Sequence, residues 1–232
     1  MSEFFRFPHT PHLAWLGQGT PRDDKVLSAS EAEEFLEHPI VLEEKVDGAN
    51  LGFSVDGDGA IRAQNRGQYL QRPFSGQFAR LNGWLALHEE GLVDALAESL
   101  VLFGEWVAAV HSLEYGRLPD YFLVFDVYDR SKMRFWSTAR RNAFATRHRL
   151  FVVHQVGKGH YRLNALGRMI ESTPSVYREG VCEGIYLRHE SDDWLLARAK
   201  LVHPDFVQDI GKHWRSRPLR WNALDAHSSL TP

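Results

Sequence analysis

The amino-acid sequence predicts a single α+β domain spanning residues 1–232, and three observations lead to it. Strand-like runs recur along the chain, helical stretches are interspersed among them, and the connections are short. Hydrophobic residues make up 44% and charged residues 25%, the composition of a chain that buries a core rather than one that stays disordered. No internal repeat, low-complexity tract or interdomain linker divides the chain.

The elements follow in order. Pro8, Pro11, Gly17, Gly19 and Pro21 make the opening segment, to about residue 27, extended or looping. Ser28 with Glu31 three residues on has capping-box spacing, so a helix starts there and runs to about His38, where Pro39 stops it. Ile40–Glu44 reads as a strand, and Asn50–Val55 alternates as a half-buried strand does. Asp56-Gly57-Asp58-Gly59 turns the chain into a partner strand over Ile61–Asn65. Phe74–Leu87 and Leu92–Ser99 are predicted as helices, and Val101–Val107 and Tyr121–Tyr128 as buried strands. Ser137 caps a basic helix reaching about Arg149, and Phe151–Val156 is a further strand. A helix near Leu163–Glu171 precedes two last strands, near Gly184–Arg188 and Trp194–Val202.

Composition also excludes functions. No apolar run approaches the roughly 20 residues of a membrane span. The start, MSEFFRFPHTPH, has no apolar core of signal-peptide length. One cysteine, Cys182, permits no internal disulfide, so a cytoplasmic location with no membrane partner is expected and Cys182 is expected to be a buried small residue. The net charge of −3 leaves no global basic footprint, so any polyanion site is a local patch. The densest basic stretch is Arg130, Lys132, Arg134, Arg140, Arg141, Arg147 and Arg149, which reads either as a phosphate-tracking surface or as a solvated helix face. The histidines show no zinc spacing, and the Asp56–Gly59 turn lacks the ligand run and closing Glu of a calcium loop.

The basic residues are 21 Arg and only 6 Lys, so each lysine stands out. Lys45 lies in Glu44-Lys45-Val46-Asp47-Gly48-Ala49-Asn50, at the end of a strand and before an Asp-Gly turn that can hold it at the floor of a cleft. A lysine amine is a nucleophile only when neutral, and near pH 7.4 about one in a thousand is. Burial and nearby cations raise that fraction roughly tenfold per pKa unit. Other chemistry-bearing groups follow in order. Arg62 and Arg66 flank Asn65, Phe103-Gly104-Glu105-Trp106 ends a strand with a carboxylate, and Phe122 to Tyr128 carries aromatics and an acid. Glu183 begins another strand, and Arg198 and Lys200 share one face of the last, being two apart. Together they make an amine nucleophile, carboxylates for a divalent ion, an aromatic platform and cations for phosphate.

In this order and spacing the chain resembles the covalent nucleotidyltransferases, the superfamily of polynucleotide ligases and mRNA capping enzymes, and most resembles the ATP-dependent RNA ligases. The resemblance runs from about Phe7 to Trp214. Lys45 matches the lysine of the K-x-D-G motif, which in the family is covalently attached to the nucleotide. Glu44 and Asn50 match the E-K-x-D-G-x-N form typical of RNA ligases, and Arg66, Glu105, Phe125, Glu183 and the Arg198–Lys200 pair match the later motifs. Arg198 stands where lysine is commoner, and it keeps the charge and a bidentate fork.

The resemblance implies a nucleotidyltransferase (ATP-grasp-like) fold of mainly antiparallel sheets with flanking helices. The 32 residues after Lys200 are too few for a separate OB domain. It implies an ATP-dependent RNA ligase that joins 5′-phosphate and 3′-hydroxyl ends through a lysyl-AMP intermediate, in RNA repair, with an end-processing kinase or phosphatase as a candidate partner. Lys45, Arg198 and Lys200 are then the catalytic residues, with the two cations at the α-phosphate depressing the Lys45 pKa. Glu44, Asn50, Arg66, Glu105, Phe125, Glu183 and Lys200 bind ATP, and Glu105 and Glu183 bind Mg²⁺ or Mn²⁺, mostly through water. Phe125 stacks on adenine, with plain core packing as its rival role, whereas Phe122 points to the opposite face and belongs to the core. Asp47 is a turn-former or a catalyst, and His111 and Tyr115 are candidates to line the cleft. A DNA nick ligase, a GTP-using capping-type enzyme and a catalytically inactive polynucleotide-binding homologue are the alternatives.

Overall fold

The computed structural model describes residues 4–18, 21, 25–97, 99–209 and 218–225; Trp214, where the resemblance ends, lies outside them. In chain order the elements are α1 (Ala29–Leu36), β1 (Ile40–Lys45), β2 (Ala49–Val55) and β3 (Ile61–Gln64), then α2 (Leu81–Leu96), β4 (Leu100–Trp106), β5 (Phe122–Asp129) and β6 (Arg134–Phe135). There follow α3 (Thr138–Arg147), β7 (Gln155–Gly159), α4 (Leu163–Ser172), β8 (Gly184–Glu190), β9 (Leu195–Val202) and α5 (Pro204–Asp209). The strands form two sheets, ordered β7-β1-β8-β9 and β3-β2-β4-β5-β6, with every named pairing antiparallel.

Each sheet buries one face under helices. Ile40, Leu42, Ile185, Leu187, Ala199 and Leu201 of the first sheet pack against Ala32 and Phe35 of α1 and Leu166 and Ile170 of α4. Leu51, Phe53, Leu102, Trp106, Phe122 and Val124 of the second pack against the Leu81, Trp84, Leu85, Leu92 and Leu96 face of α2. Since side chains alternate along a strand, the other faces carry Glu43, Lys45, Tyr186, Arg188, Arg198 and Lys200 on one sheet and Asn50, Phe103 and Glu105 on the other. Those faces meet across a cleft, bridged by Arg188 to Asp126 at 2.8 Å.

Local chemistry explains most boundaries. Ser28 Oγ accepts from the Glu31 amide at 3.2 Å and Glu31 accepts from the Ser28 amide at 2.8 Å, the reciprocal capping box that starts α1. Ser137 caps α3 with a single bond, its Oγ accepting from the Arg140 amide. Three expectations are corrected. A single helix, Leu81–Leu96, replaces the two predicted around residues 74–99, because its buried face outweighs the weak propensity of Gly83 and Gly91; residues 76–78 form a 3₁₀ turn. The strand expected over Phe151–Val156 begins at Gln155, because Phe151 and Val153 exchange backbone bonds with Val124 of the second sheet before His154 accepts from the Glu44 amide of the first. Within the predicted basic helix face, Arg141 is fully buried, its guanidinium paired with Glu43 at 2.5 Å. Cys182 is buried as expected. Among the described residues no helix is long and apolar enough to cross a membrane.

Candidate active site

The chain crosses from the first sheet to the second at Val46-Asp47-Gly48, immediately after Lys45. Gly48 is required there: a Cβ would lie 2.6 Å from the Trp106 carbonyl oxygen. Asp47 holds the crossing in place, accepting from the Ser112 amide at 2.7 Å and the Leu113 amide at 3.3 Å while its own amide donates to the Tyr115 hydroxyl at 2.8 Å. Asp47 and Tyr115 thus organise the loop beneath the lysine. His111 bonds Gln77 at 2.7 Å, with its other ring nitrogen 4.0 Å from Asp47.

Lys45 Nζ donates to both oxygens of Glu183 at 2.6 Å, and both side chains are largely shielded from solvent, 15% and 10% exposed. Burial alone pulls the ammonium pKa down, but Glu183, with Tyr186 and Asp47 behind it, outweighs burial and leaves the pKa above the ordinary lysine value. This reverses the expected depression by nearby cations: in the nucleotide-free protein Lys45 is a held ammonium. Lys200 is opposite Tyr186 in the β8–β9 register and acts on Glu183, helping to keep that carboxylate charged against the burial that raises its pKa.

Across the cleft, Asn50 pairs in register with Glu105. Glu105 accepts from the Gly48 amide at 3.1 Å, and its carboxyl pKa is pushed up to about 8 by burial, with Asp47 and Glu183 adding to the rise and Lys45 opposing it. Asn50 Oδ1 and Arg66 Nε are both buried and have no hydrogen-bond partner. Asn50 through its register and Arg66 through its charge both lie on the Glu105 side of the cleft, where a polar ligand would satisfy these atoms.

Two predicted site residues make their hydrogen bonds and ion pairs outside this group. Glu44 points to the opposite face of β1, where it accepts from Ser175 Oγ at 2.5 Å and the Val176 amide at 3.2 Å. Arg198 pairs with Asp126 at 2.5 Å and lies over the rings of Phe7 at 4.9 Å and Phe135 at 4.1 Å, on the Phe125 side of the cleft. Phe125 is half-buried with its ring edge-on to Phe7, and Phe122 is core, as strand parity required.

A profile of the RNA ligase family matches residues 38–202, from just before β1 through β9. The chain belongs to the RNA ligase family. Solved structures agree with that ligase at the level of the fold. An alanine variant of the Naegleria gruberi RNA ligase with ATP and Mn superposes with a TM-score of 0.64 at 16% identity, over 90% of this chain and 59% of that one. The same ligase with PPi gives 0.60 at 15% identity, over 92% and 65%. A second alanine variant with ATP and Mn gives 0.58 at 17% identity, over 76% and 53%. This RNA ligase family member therefore spans between 53% and 65% of those chains. A comparison with curated proteins returns no match.

The matched span holds cleft residues that motif reading did not assign. Tyr186 stands on the cleft face of β8, and its hydroxyl feels Lys45, Glu105, Glu183 and Arg66 around it. The alternation along β8 was the available signal, since Tyr186 lies opposite Lys200. Glu43, Asp126, Arg141 and Arg188 form a buried ionic layer beside it, for which no local signal exists. The apolar cavity lined by Leu13, Trp15, Leu36 and Leu163 lies instead on the helix-covered side of the first sheet, away from Lys45.

Proposed function

We propose that this chain is an ATP-dependent RNA ligase that joins 5′-phosphate and 3′-hydroxyl ends through a lysyl-AMP intermediate on Lys45. Residues 1–232 act as one adenylyltransferase unit. The observation that carries the reading is the Lys45–Glu183 pair at 2.6 Å, shielded at the cleft floor within reach of Glu105, on which Arg66 also acts. The Naegleria gruberi ligase holds ATP and Mn in the structures named above, which supports ATP and a divalent ion here.

Among the described residues no group of three or more His, Cys, Asp or Glu side chains is arranged to hold a metal. The donor set nevertheless fits a hydrated divalent ion: Glu105 and Glu183 are two carboxyl groups acting on one another across the cleft, and magnesium keeps several waters. Bound at these two carboxylates, such an ion supplies positive charge at the phosphates.

The chain's own residues do the rest. Glu183, the carboxylate that contacts Nζ, holds the amine at the cleft floor, and the ammonium gives up its proton to water before it attacks. The neutral amine forms the N–P bond to the α-phosphate of ATP while the bond to the bridging oxygen breaks and pyrophosphate leaves. A 5′-phosphate oxygen then displaces the lysine from phosphorus, and a 3′-hydroxyl displaces AMP. Each displacement places charge on phosphate oxygens, where Lys200 and Arg66 face the cleft and where electrostatic stabilisation contributes most. Phe125 offers the adenine a ring face, and Asn50 contacts the nucleotide or the polynucleotide end.

The test is incubation with α-labelled ATP and Mg²⁺ followed by denaturing electrophoresis and peptide mapping. A label on Lys45 that survives acid is expected and should vanish with chelator. Label on another residue overturns the assignment, and an adduct formed with GTP in preference to ATP makes the chain a capping-type enzyme.

A further inference from the structure

The ionic layer between the sheets has no part in the steps above, yet it surrounds one residue that does. In the β4–β5 ladder Gly104 pairs with Val124 and Phe103 with Asp126, so Phe125 is an extra, bulged residue. The bulge puts consecutive residues on the cleft side: the Phe125 ring meets Phe7, and the Asp126 carboxylate meets Arg198. It also takes the Phe125 carbonyl out of the ladder, where two guanidinium groups donate to it, Arg141 at 2.7 Å and Arg188 at 3.2 Å.

Both arginines are tied further. Arg141 donates to Glu43 at 2.5 Å, two residues before Lys45 on the same face of β1. Arg188 donates to Asp126 at 2.8 Å and to Glu190 at 2.6 Å. A buried charge layer of this kind is a poor way to gain stability, since apolar residues of similar volume serve as well or better. What the layer does provide is direction: a guanidinium fork fixes its acceptors in one geometry.

We infer that Arg141 and Arg188 are positioning residues for the nucleotide. By clamping the bulged carbonyl they aim the Phe125 ring into the cleft, and through Glu43 they set that ring against the strand bearing Lys45. Neither touches the nucleotide. The inference rests on Phe125 being the base platform.

A double-mutant cycle on Arg141→Lys and Phe125→Leu tests it, read as KM for ATP and kcat in adduct formation, with thermal melting alongside. Each single variant is expected to raise KM about tenfold with kcat within about threefold, and the double variant to be no worse than the worse single one, as coupled sites behave. Unchanged KM in Arg141→Lys, or effects that multiply in the double variant, overturn the clamp while leaving the platform standing. Unchanged KM in Phe125→Leu overturns the platform and the clamp with it. If Arg141→Lys fails to fold, Arg188→Lys, which alters the second donor at the same carbonyl, goes through the same cycle with the same readings.

Discussion

At the scale of single residues, the site is a lysine held in the wrong protonation state by the carboxylate that positions it. Lys45→Ala should abolish sealing of 5′-phosphate ends yet leave sealing of pre-adenylated RNA, because in the proposed mechanism the amine is nucleophile in the first step, leaving group in the second and absent from the third. Rescue by pre-adenylated substrate is the reading to take; a variant that still joins ordinary ends with ATP ends the covalent mechanism. Glu105 makes a separate prediction. Its carboxyl titrates at about 8 in the folded chain against an ordinary value of 4.5, so as pH rises between those values the unfolded chain gives up its proton first. The folded state therefore loses stability across that window and no more above it. Glu105→Gln removes this loss, and the nucleotide-free variant should melt above wild type at pH 8.5 by more than at pH 5.5, with Mg²⁺ narrowing the gap. An unchanged difference between the two pH values would show that Glu105 is not held at elevated pKa.

At the scale of elements, what could be read in advance was what alternation and capping control. The Ser28–Glu31 box, the hairpin of β2 and β3 and the placement of Lys45 at a strand end all follow from local sequence. Alternation also puts Glu44 on the opposite face from Lys45, which motif matching alone overlooks. The bulge at Phe125 was invisible because it depends on the register between two strands, and Arg141 looked like part of a solvated helix because its partner, Glu43, is 98 residues away. The bulge brings its own prediction. Gly104, across from Val124, has no room for a side chain: a Cβ would lie 2.5 Å from the Phe122 ring and 2.6 Å from the Leu123 carbonyl oxygen. Gly104→Ala should cost about 1–3 kcal/mol, as overpacking does, and should weaken ATP binding by moving β5. Ser28→Ala, far from the cleft, should cost about 1 kcal/mol and leave ATP binding unchanged. Urea denaturation and ATP titration of the pair separate the two effects.

At the scale of the whole molecule, the cleft is the seam between two sheets, crossed by the chain at Val46–Gly48 and again at residues 151–154 and closed by the Asp126–Arg188 ion pair. A chain with net charge −3 has no general attraction for a polyanion, so the proposed polynucleotide substrate would be held by a local patch of cations, such as those of this seam. Adduct formation, which needs no polynucleotide, should change little between low and moderate salt. Joining should fall, with log affinity declining by about 0.7 per phosphate contact per log unit of salt for a single strand. An RNA-joining enzyme as proposed would also distinguish the terminal sugar, and the 2′-hydroxyl is the group that separates the two polymers. The E-K-x-D-G-x-N form around Lys45 is the motif on which a preference for a ribose 3′-terminus is proposed. Matched nicked substrates differing only in that sugar should be sealed faster with ribose than with deoxyribose at equal salt. A preference for deoxyribose, with adduct formation unaltered, would leave the adenylation chemistry in place and move the substrate from RNA ends to DNA nicks.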